Sequence, residues 1–423
     1  MAFGRRVLPR ILAALSVTAS LLLSSAAAAG AAPAVTSIRA QEWWLSGMHA
    51  PDVMWPISTG KGITVAVIDS GVNANHPDLV GQVLPGQNFS GLPGGADTDT
   101  SGHGTGVASL IAGTGKGWDG KGMYGLAPGA KILPLRVVAK GDTEATNAAN
   151  FARQLSAAIR VAADSDAQII NISMVQVETE STVRSAVDYA LAKGKLIVAG
   201  AGNSGNVGDP VEYPAAYPGV VGVGETDQNG NVAPESEYGS QLALTADGAD
   251  MYFACVGPSG YCSGHGTSYS TALVSASAAL IWSVHPTWTA DQIIRVLINT
   301  ANAGGKPGVQ DPHYGYGLIR PRIALVTPGN PGPADVNPLL PAVATKSPAP
   351  EASSPSATAA ASTAGQKSGR SGSAPWIAVG GAAGALVLVG LAVAIIVRRR
   401  GNRPGPPPPP SSAPYDPYAH LPQ

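Results

Sequence analysis

Three short segments of the sequence carry a carboxylate, an imidazole and a hydroxyl in glycine-rich surroundings. In chain order they contain Asp69 in VIDSG, His103 in SGHGT and Ser268 in GTSYS. A serine hydroxyl becomes an effective nucleophile when an imidazole accepts its proton and a carboxylate orients that imidazole. The order Asp, His, Ser is one of three chain orders in which this triad occurs. The sequence therefore predicts the acyl-transfer chemistry of a serine peptidase.

Each of the three residues also has a purely structural interpretation. Gly-Thr-Ser by itself is typical of a capped helix start, and Ser268 lies at such a predicted loop-to-helix junction. At that position the first-turn amides could also stabilise an oxyanion, and the matched segments before it favour catalysis. Among the seven histidines, His103 is predicted as the general base and His265 is the main alternative. Asp69 follows an apolar run, which favours a buried orienting carboxylate over a helix cap.

A fourth segment, AGAGNSG, places Asn203 after a strand-like run. An asparagine in such a turn is most often only a turn former. Here its side-chain amide is predicted to be the second donor of an oxyanion hole, beside the backbone N–H of Ser268. We expect an extended peptide to bind the backbone of two segments as an added strand. The predicted substrate-binding residues are Ile172, Ser173, Met174, Gly200, Ala201 and Gly202.

Strand-like and helix-like segments alternate from Gly62 onwards. Residues 63–68 and 168–172 form short apolar runs, whereas residues 147–163 carry apolar residues at helical spacing. This alternation predicts an α/β fold with a mostly parallel sheet and helices on both faces. In such sheets the functional groups lie at the carboxyl ends of the strands, which is where Asp69 and Asn203 fall.

Composition and cysteine content limit which macromolecules and metals the protein can bind. The formal net charge is −1 and 13% of residues are charged, so no basic surface is available for nucleic acid. The two cysteines, Cys255 and Cys262, are predicted to form one disulfide. Two thiols without a second ligand pair do not make a zinc site. We therefore predict no metal and no cofactor.

Both ends of the chain carry membrane-related signals. Arg5, Arg6 and Arg10 precede an apolar run and an alanine-rich cleavage region, which indicates a secretory signal peptide. The alternative is an uncleaved membrane anchor. An uncharged apolar segment near the C-terminus is long enough to cross a bilayer. Three arginines follow it at 398–400 and place the tail in the cytoplasm. The prediction is a single-pass protein of the cell membrane with an extracytoplasmic catalytic domain.

These signals divide the chain into six parts. They are a signal peptide (1–32), an N-terminal extension (33–61), a peptidase domain (62–327), a disordered linker rich in Pro, Ala and Ser (328–374), a transmembrane helix (375–397) and a Pro-rich cytoplasmic tail (398–423).

Together the four motifs resemble the subtilases, the subtilisin-like serine peptidases, across residues 41–327. The resemblance implies a subtilisin-type fold, with Asp69, His103 and Ser268 as the triad and Asn203 in the oxyanion hole. Within the family the chain is most similar to the mycosins, membrane-anchored subtilases associated with type VII secretion. The features that carry this likeness are the segment QEWWL at 41–45, the INIS strand at 170–173 and an apolar C-terminal segment after a Pro-rich linker.

Two kinds of function remain open. The first is an endopeptidase that cleaves proteins or peptides through an acyl-enzyme on Ser268, linked to the type VII secretion machinery. The second is a scaffold subunit of a membrane secretion complex in which proteolysis is dispensable. A dinucleotide-binding protein is disfavoured, because the first strand is followed by Asp69-Ser70-Gly71-Val72 and not by Gly-x-Gly-x-x-Gly.

Overall fold

The computed structural model describes residues 37–137, 148–177, 179–302 and 308–340. Within them, seven strands form one sheet in the order β2-β3-β1-β4-β5-β6-β7, and every neighbouring pair is parallel. The strands are β1 (Thr64–Asp69), β2 (Gln87–Asn88), β3 (Lys131–Arg136), β4 (Ile169–Ile172), β5 (Leu196–Gly200), β6 (Val221–Thr226) and β7 (Leu242–Asp247).

Helices cover both faces of this sheet. They are α1 (Trp43–Gly47), α2 (His103–Ala112), the short turn α3 (Gly117–Gly120), α4 (Ala148–Asp164), α5 (Ser181–Ala192), α6 (Thr267–Val284), α7 (Ala290–Thr300) and α8 (Pro321–Val326). Side chains alternate across β1: Val65 and Val67 join the core beneath α2 and α6, while Ala66 and Ile68 join the core beneath α4 and α5. The predicted α/β architecture with a mostly parallel sheet is confirmed.

Helix α6 runs through the interior of the molecule. Its residues from Tyr269 to Trp282 are all buried, on every side of the helix. Alanine and serine dominate this stretch, and such small side chains let the helix lie close to strands β4 to β7. A helix that is apolar all round is held by the core. Its N-terminus, and with it Ser268, therefore has a fixed position.

A two-stranded antiparallel hairpin precedes α6. It consists of β8 (Met251–Ala254) and β9 (Tyr261–Gly264). The predicted pair Cys255 and Cys262 closes its loop as a disulfide with a Cα–Cα distance of 5.8 Å. Only His265 and Gly266 separate the hairpin from α6, so the disulfide constrains the segment that leads to Ser268.

The packed body extends beyond the predicted peptidase domain at both ends. Trp44 and Met48, from the segment assigned to an N-terminal extension, are fully buried in the core. At the other end, residues 328–340 lie against α7. There Thr289 Oγ1 donates to the Ala334 carbonyl at 2.7 Å and Gln292 Nε2 to the Gly332 carbonyl at 2.9 Å.

The structure therefore differs from the prediction of disorder over the first part of the linker. The segment 328–340 lacks large apolar runs, but donors on the polar face of α7 bind its carbonyls. The predicted signal peptide (1–32), the transmembrane helix (375–397) and the tail (398–423) lie outside the described residues. Among the residues that are described, no helix combines the length and the apolar character needed to cross a membrane.

Candidate active site

The predicted acid and base are in contact. Asp69 is the last residue of β1 and is fully buried, and His103 is the first residue of α2. His103 Nδ1 lies 2.8 Å from Asp69 Oδ1. Because a carboxylate only accepts hydrogen bonds, this contact places the proton on Nδ1 and leaves Nε2 able to accept one. The arrangement is that of a histidine base oriented by a buried acid.

A second carboxylate, Asp99, holds the start of α2 in place. Its side chain accepts from the backbone N–H groups of Gly102 and Thr105, each at 2.9 Å, and from the Ser70 hydroxyl at 3.0 Å. These bonds satisfy first-turn amides that have no partner within the helix. Sequence reasoning did not single out Asp99. The available signal was an aspartate four residues before the start of α2.

The two carboxylates also shift the pKa of His103. Burial by itself lowers the pKa of His103, but the charge of Asp69, its hydrogen bond and the more distant charge of Asp99 together raise it above 6.5. The ring stays accessible, with 32% of the side chain exposed. The site therefore stabilises the imidazolium that forms when His103 takes up a proton.

Ser268 is the second residue of α6. Its hydroxyl donates to the Ser173 carbonyl at 3.3 Å, and the Ser173 hydroxyl donates back to the Ser268 carbonyl at 3.1 Å. The ring of Tyr269 lies 5.9 Å from the His103 ring between centroids, so α6 begins beside the imidazole. Among the described residues Ser268 Oγ has no hydrogen bond to His103. Catalytic hydrogen bonds of ligand-free sites are often long or misaligned until substrate binds.

Asn203 lies in the exposed loop after β5 and faces the start of α6. Its Oδ1 accepts from the Thr267 backbone N–H at 2.9 Å. This bond fixes the orientation of the amide and leaves the Nδ2 group as a donor. The N–H of Ser268 is also free of intrahelical bonding, because it belongs to the first turn of α6. Both donors therefore lie at the start of α6, and their role as an oxyanion hole stays a prediction.

The two predicted substrate-binding segments follow adjacent strands. Ile172 at the end of β4 pairs with Ala199 of β5, so the residues after them leave the sheet side by side. Ile172 itself is fully buried in the core beneath α4 and α5, and only its backbone is left for a peptide. Ser173 and Met174 keep 7% and 8% of their surface exposed. Their roles in substrate binding stay predictions.

On the other side, Gly200, Ala201 and Gly202 are buried. Gly202 has a φ of +122°, and a Cβ there would overlap the Glu237 carboxyl and lie 2.5 Å from Glu212 Oε2. Burial, together with the nearby charges of Glu212 and Asp209, raises the pKa of Glu237 to about 8. Glycine is therefore required at 202 for two reasons. Its positive φ disfavours other residues, and the neighbouring glutamates leave no room for a Cβ.

Asn171 supports the Ser173 segment from within β4. Its Nδ2 donates to Ser173 Oγ at 3.0 Å, and its Oδ1 accepts from Ser275 Oγ of α6 at 2.8 Å. This buried bridge connects the β4 side of the site to the helix that carries Ser268. Its role was not predicted, although a polar residue within an otherwise apolar strand was a visible signal.

Comparisons with known proteins agree with this geometry. The model of the subtilase family matches residues 60–317. Subtilisin Savinase from Lederbergia lenta is 34% identical over 283 residues, which cover 67% of this chain and 97% of that protein.

Two solved structures share the fold at similar identity. The structure of MycP1 from Mycobacterium smegmatis has a TM-score of 0.59 and 29% identity, covering 70% of this chain and 86% of that one. The structure of the MycP3 protease from the type VII (ESX-3) secretion system has a TM-score of 0.59 and 32% identity, covering 70% and 90%. The predicted resemblance to the subtilases, with mycosins as structural neighbours, is confirmed. The chain belongs to the subtilase family and is a subtilisin-like serine peptidase.

Proposed function

We propose that this protein is a membrane-anchored, extracytoplasmic serine endopeptidase that forms an acyl-enzyme on Ser268 and is linked to type VII secretion. The observation that carries the catalytic part is the 2.8 Å contact of buried Asp69 with His103, beside the helix start that bears Ser268.

The first half of the reaction follows from these positions. His103 Nε2 accepts the proton of the Ser268 hydroxyl as Ser268 Oγ attacks the scissile carbonyl. Negative charge then develops on the carbonyl oxygen, where the Asn203 amide and the Ser268 N–H donate hydrogen bonds. Asp69 stabilises the imidazolium, which passes its proton to the departing amine.

The second half releases the acyl group. A water molecule takes the place of the amine, and His103 removes its proton as it attacks the ester on Ser268. The same two donors stabilise the second oxyanion. The carboxylic acid product leaves, and the proton returns to Ser268 Oγ. No cofactor is needed for either half.

The cellular part of the proposal is supported by sequence and by likeness. The basic-apolar N-terminus and the apolar segment 375–397 followed by arginines support export with a single membrane anchor. The similarity to MycP1 and to MycP3 supports the link to type VII secretion.

The test of the catalytic proposal uses the full-length protein and a fluorophosphonate probe, which reacts with activated serines. The wild-type protein should be labelled and Ser268→Ala should not. Ser263→Ala is the matched control, since Ser263 is an exposed serine of neighbouring strand β9 and its loss should leave labelling intact. A folded wild-type protein that takes up no label, or a Ser268→Ala protein that labels equally, refutes the acyl-enzyme.

A scaffold function is the second candidate, favoured by the predicted linker (328–374) and transmembrane helix (375–397). Complementation of a deletion strain with Ser268→Ala distinguishes the scaffold function from the peptidase function. If Ser268→Ala restores secretion, the domain acts as a scaffold. If Ser268→Ala fails as completely as the deletion while the protein is present at normal level, proteolysis is required.

A further inference from the structure

Three side chains outside the triad converge on one point near the start of α6. One oxygen of Glu225, one oxygen of Glu235 and one ring nitrogen of His265 all lie within 4.8 Å of one another. His265 Nδ1 is 2.5 Å from Glu235 Oε1 and 3.9 Å from Glu225 Oε1. We call these three residues the Glu-Glu-His cluster. It uses none of the residues assigned above to the triad, the oxyanion hole or the substrate segments.

The buried member of the cluster lacks the partners that a buried carboxylate needs. The Glu225 side chain is fully buried in β6, and apart from a weak approach of the Gly266 N–H neither of its oxygens has a hydrogen bond. An unpaired carboxyl group in the interior is costly to ionise, so it is normally protonated, paired or bound to a metal, and a bound cation would let Glu225 ionise. The other two members are reachable from solvent, with 59% of the His265 side chain and 21% of the Glu235 side chain exposed. A cation could therefore enter past His265 and contact Glu225 at the base.

We propose that the Glu-Glu-His cluster binds one divalent transition-metal cation of the Zn²⁺ class. One imidazole and two carboxylates are ligands that zinc accepts in four-coordinate sites with an open position. Calcium, in contrast, takes six to eight oxygen ligands and avoids imidazole. The ligand set therefore selects zinc over calcium.

The site connects three parts of the chain that only folding brings together. Glu225 comes from β6, Glu235 from the loop after it, and His265 from the segment between β9 and α6. His265 is followed by Gly266, whose N–H donates to the Gly248 carbonyl at 3.2 Å, and then by Thr267, which binds Asn203. A bound cation would fix this segment to the sheet and so stabilise the folded protein and its oxyanion loop.

The experiment measures zinc binding directly, so it does not depend on peptidase activity. Full-length protein is titrated with ZnCl₂ by calorimetry, and thermal unfolding is recorded with and without ZnCl₂. We expect one zinc per chain and a higher melting temperature that a chelator reverses. His265→Asn and Glu225→Gln should each weaken zinc binding at least tenfold, since even loss of an outer-sphere partner costs about 10–100-fold.

The matched control is His49→Asn. His49 forms an exposed pair with Asp52 at 3.2 Å, and this pair belongs to no three-ligand group among the described residues. His49→Asn should bind zinc like the wild type. Ser268→Ala should also bind one zinc, which separates this site from the peptidase proposal.

Three results overturn the proposal: zinc uptake well below one per chain, equal binding by His265→Asn and the wild type, or stronger binding of CaCl₂ than of ZnCl₂. His265 is exposed, so its variant remains informative if Glu225→Gln does not fold.

Discussion

Asp69, which is hydrogen-bonded to His103, and the more distant Asp99 influence the pH at which His103 can act as a base. Asp69 and Asp99 outweigh burial and raise the pKa of His103 above 6.5. A base must be neutral, so kcat/KM should rise with pH through an apparent pKa above 6.5 and be lost as pH falls. Asp99→Asn removes one of the charges that raise the pKa and should shift the profile to lower pH.

The measurement is the pH dependence of kcat/KM on a fluorogenic peptide. Asp97→Asn is the control, because Asp97 is an exposed carboxylate two residues away. An acid limb below pH 6.5, or an identical profile for Asp99→Asn and the wild type, would show that these charges do not tune His103.

The Asn203 amide supplies one of the two proposed oxyanion donors. Asn203→Ala should lower kcat by about 10²–10³ with little change in KM, because the oxyanion exists only after attack. Asn203→Asp keeps the oxygen that accepts from the Thr267 N–H but loses the N–H donor. It should therefore lower kcat by a similar factor. Steady-state kinetics check this, with Ser204→Ala as the neighbouring control. A loss below tenfold, or one confined to KM, contradicts the assigned role.

At the scale of elements, the site exists because strand ends and helix starts meet at one edge of the sheet. Parallel strands β1, β4 and β5 end there, and α2 and α6 begin there with their first-turn amides. Each crossover returns the chain to the same edge, so residues far apart in sequence become neighbours. The loop after β5 fits between α6 and the buried Glu212 and Glu237. Added side-chain volume in this loop should therefore displace it.

Gly202→Ala tests that fit. The new Cβ would overlap the Glu237 carboxyl at a φ of +122°, so the loop and Asn203 must move. We expect a loss of kcat of at least tenfold, following the displaced oxyanion donor, together with a lower melting temperature. Gly208→Ala is the matched control, because Gly208 has a φ of +95° but open space around its Cβ position. If Gly202→Ala and Gly208→Ala lower kcat and the melting temperature equally, the positive φ explains the loss and the contact with Glu237 does not.

At the scale of the whole molecule, burial raises the pKa of several acids. Burial raises the pKa of Glu42 and of Glu237 to about 8 and that of Asp247 to about 7. The native state thus holds these protons more tightly than the unfolded chain, whose acids titrate near pH 4. Their contribution to stability is complete at acidic pH and is lost as pH rises through 7 to 8.

We therefore expect the melting temperature to fall between pH 5 and pH 9. Glu237→Gln should reduce this slope because it removes one of the titrating groups, while Asp166→Asn, at an exposed carboxylate, should not. Calorimetry across this range checks both. A melting temperature that is constant or rises over the range would show that these acids are ionised in the native state.

Local sequence patterns determined several secondary-structure elements, the triad residues and the cysteine pair of this protein. The alternation of apolar and helical runs predicted β1, β4 and α4 to within a residue or two at each boundary, since side-chain periodicity is read along a single element. Short motifs likewise identified Asp69, His103 and Ser268, because each chemical group occurs in its own distinctive local setting. The close pair Cys255 and Cys262 needed no long-range information.

Only the tertiary structure decided which distant groups meet. The bond of Asp99 to Ser70, the reciprocal bonds of Ser173 and Ser268, and the packing of residues 328–340 on α7 each join segments with no common periodicity. The same holds for the Glu-Glu-His cluster, which combines a buried strand residue with two loop residues. A contact of this kind depends on how the sheet and helices stack, and no local pattern along the chain encodes that stacking.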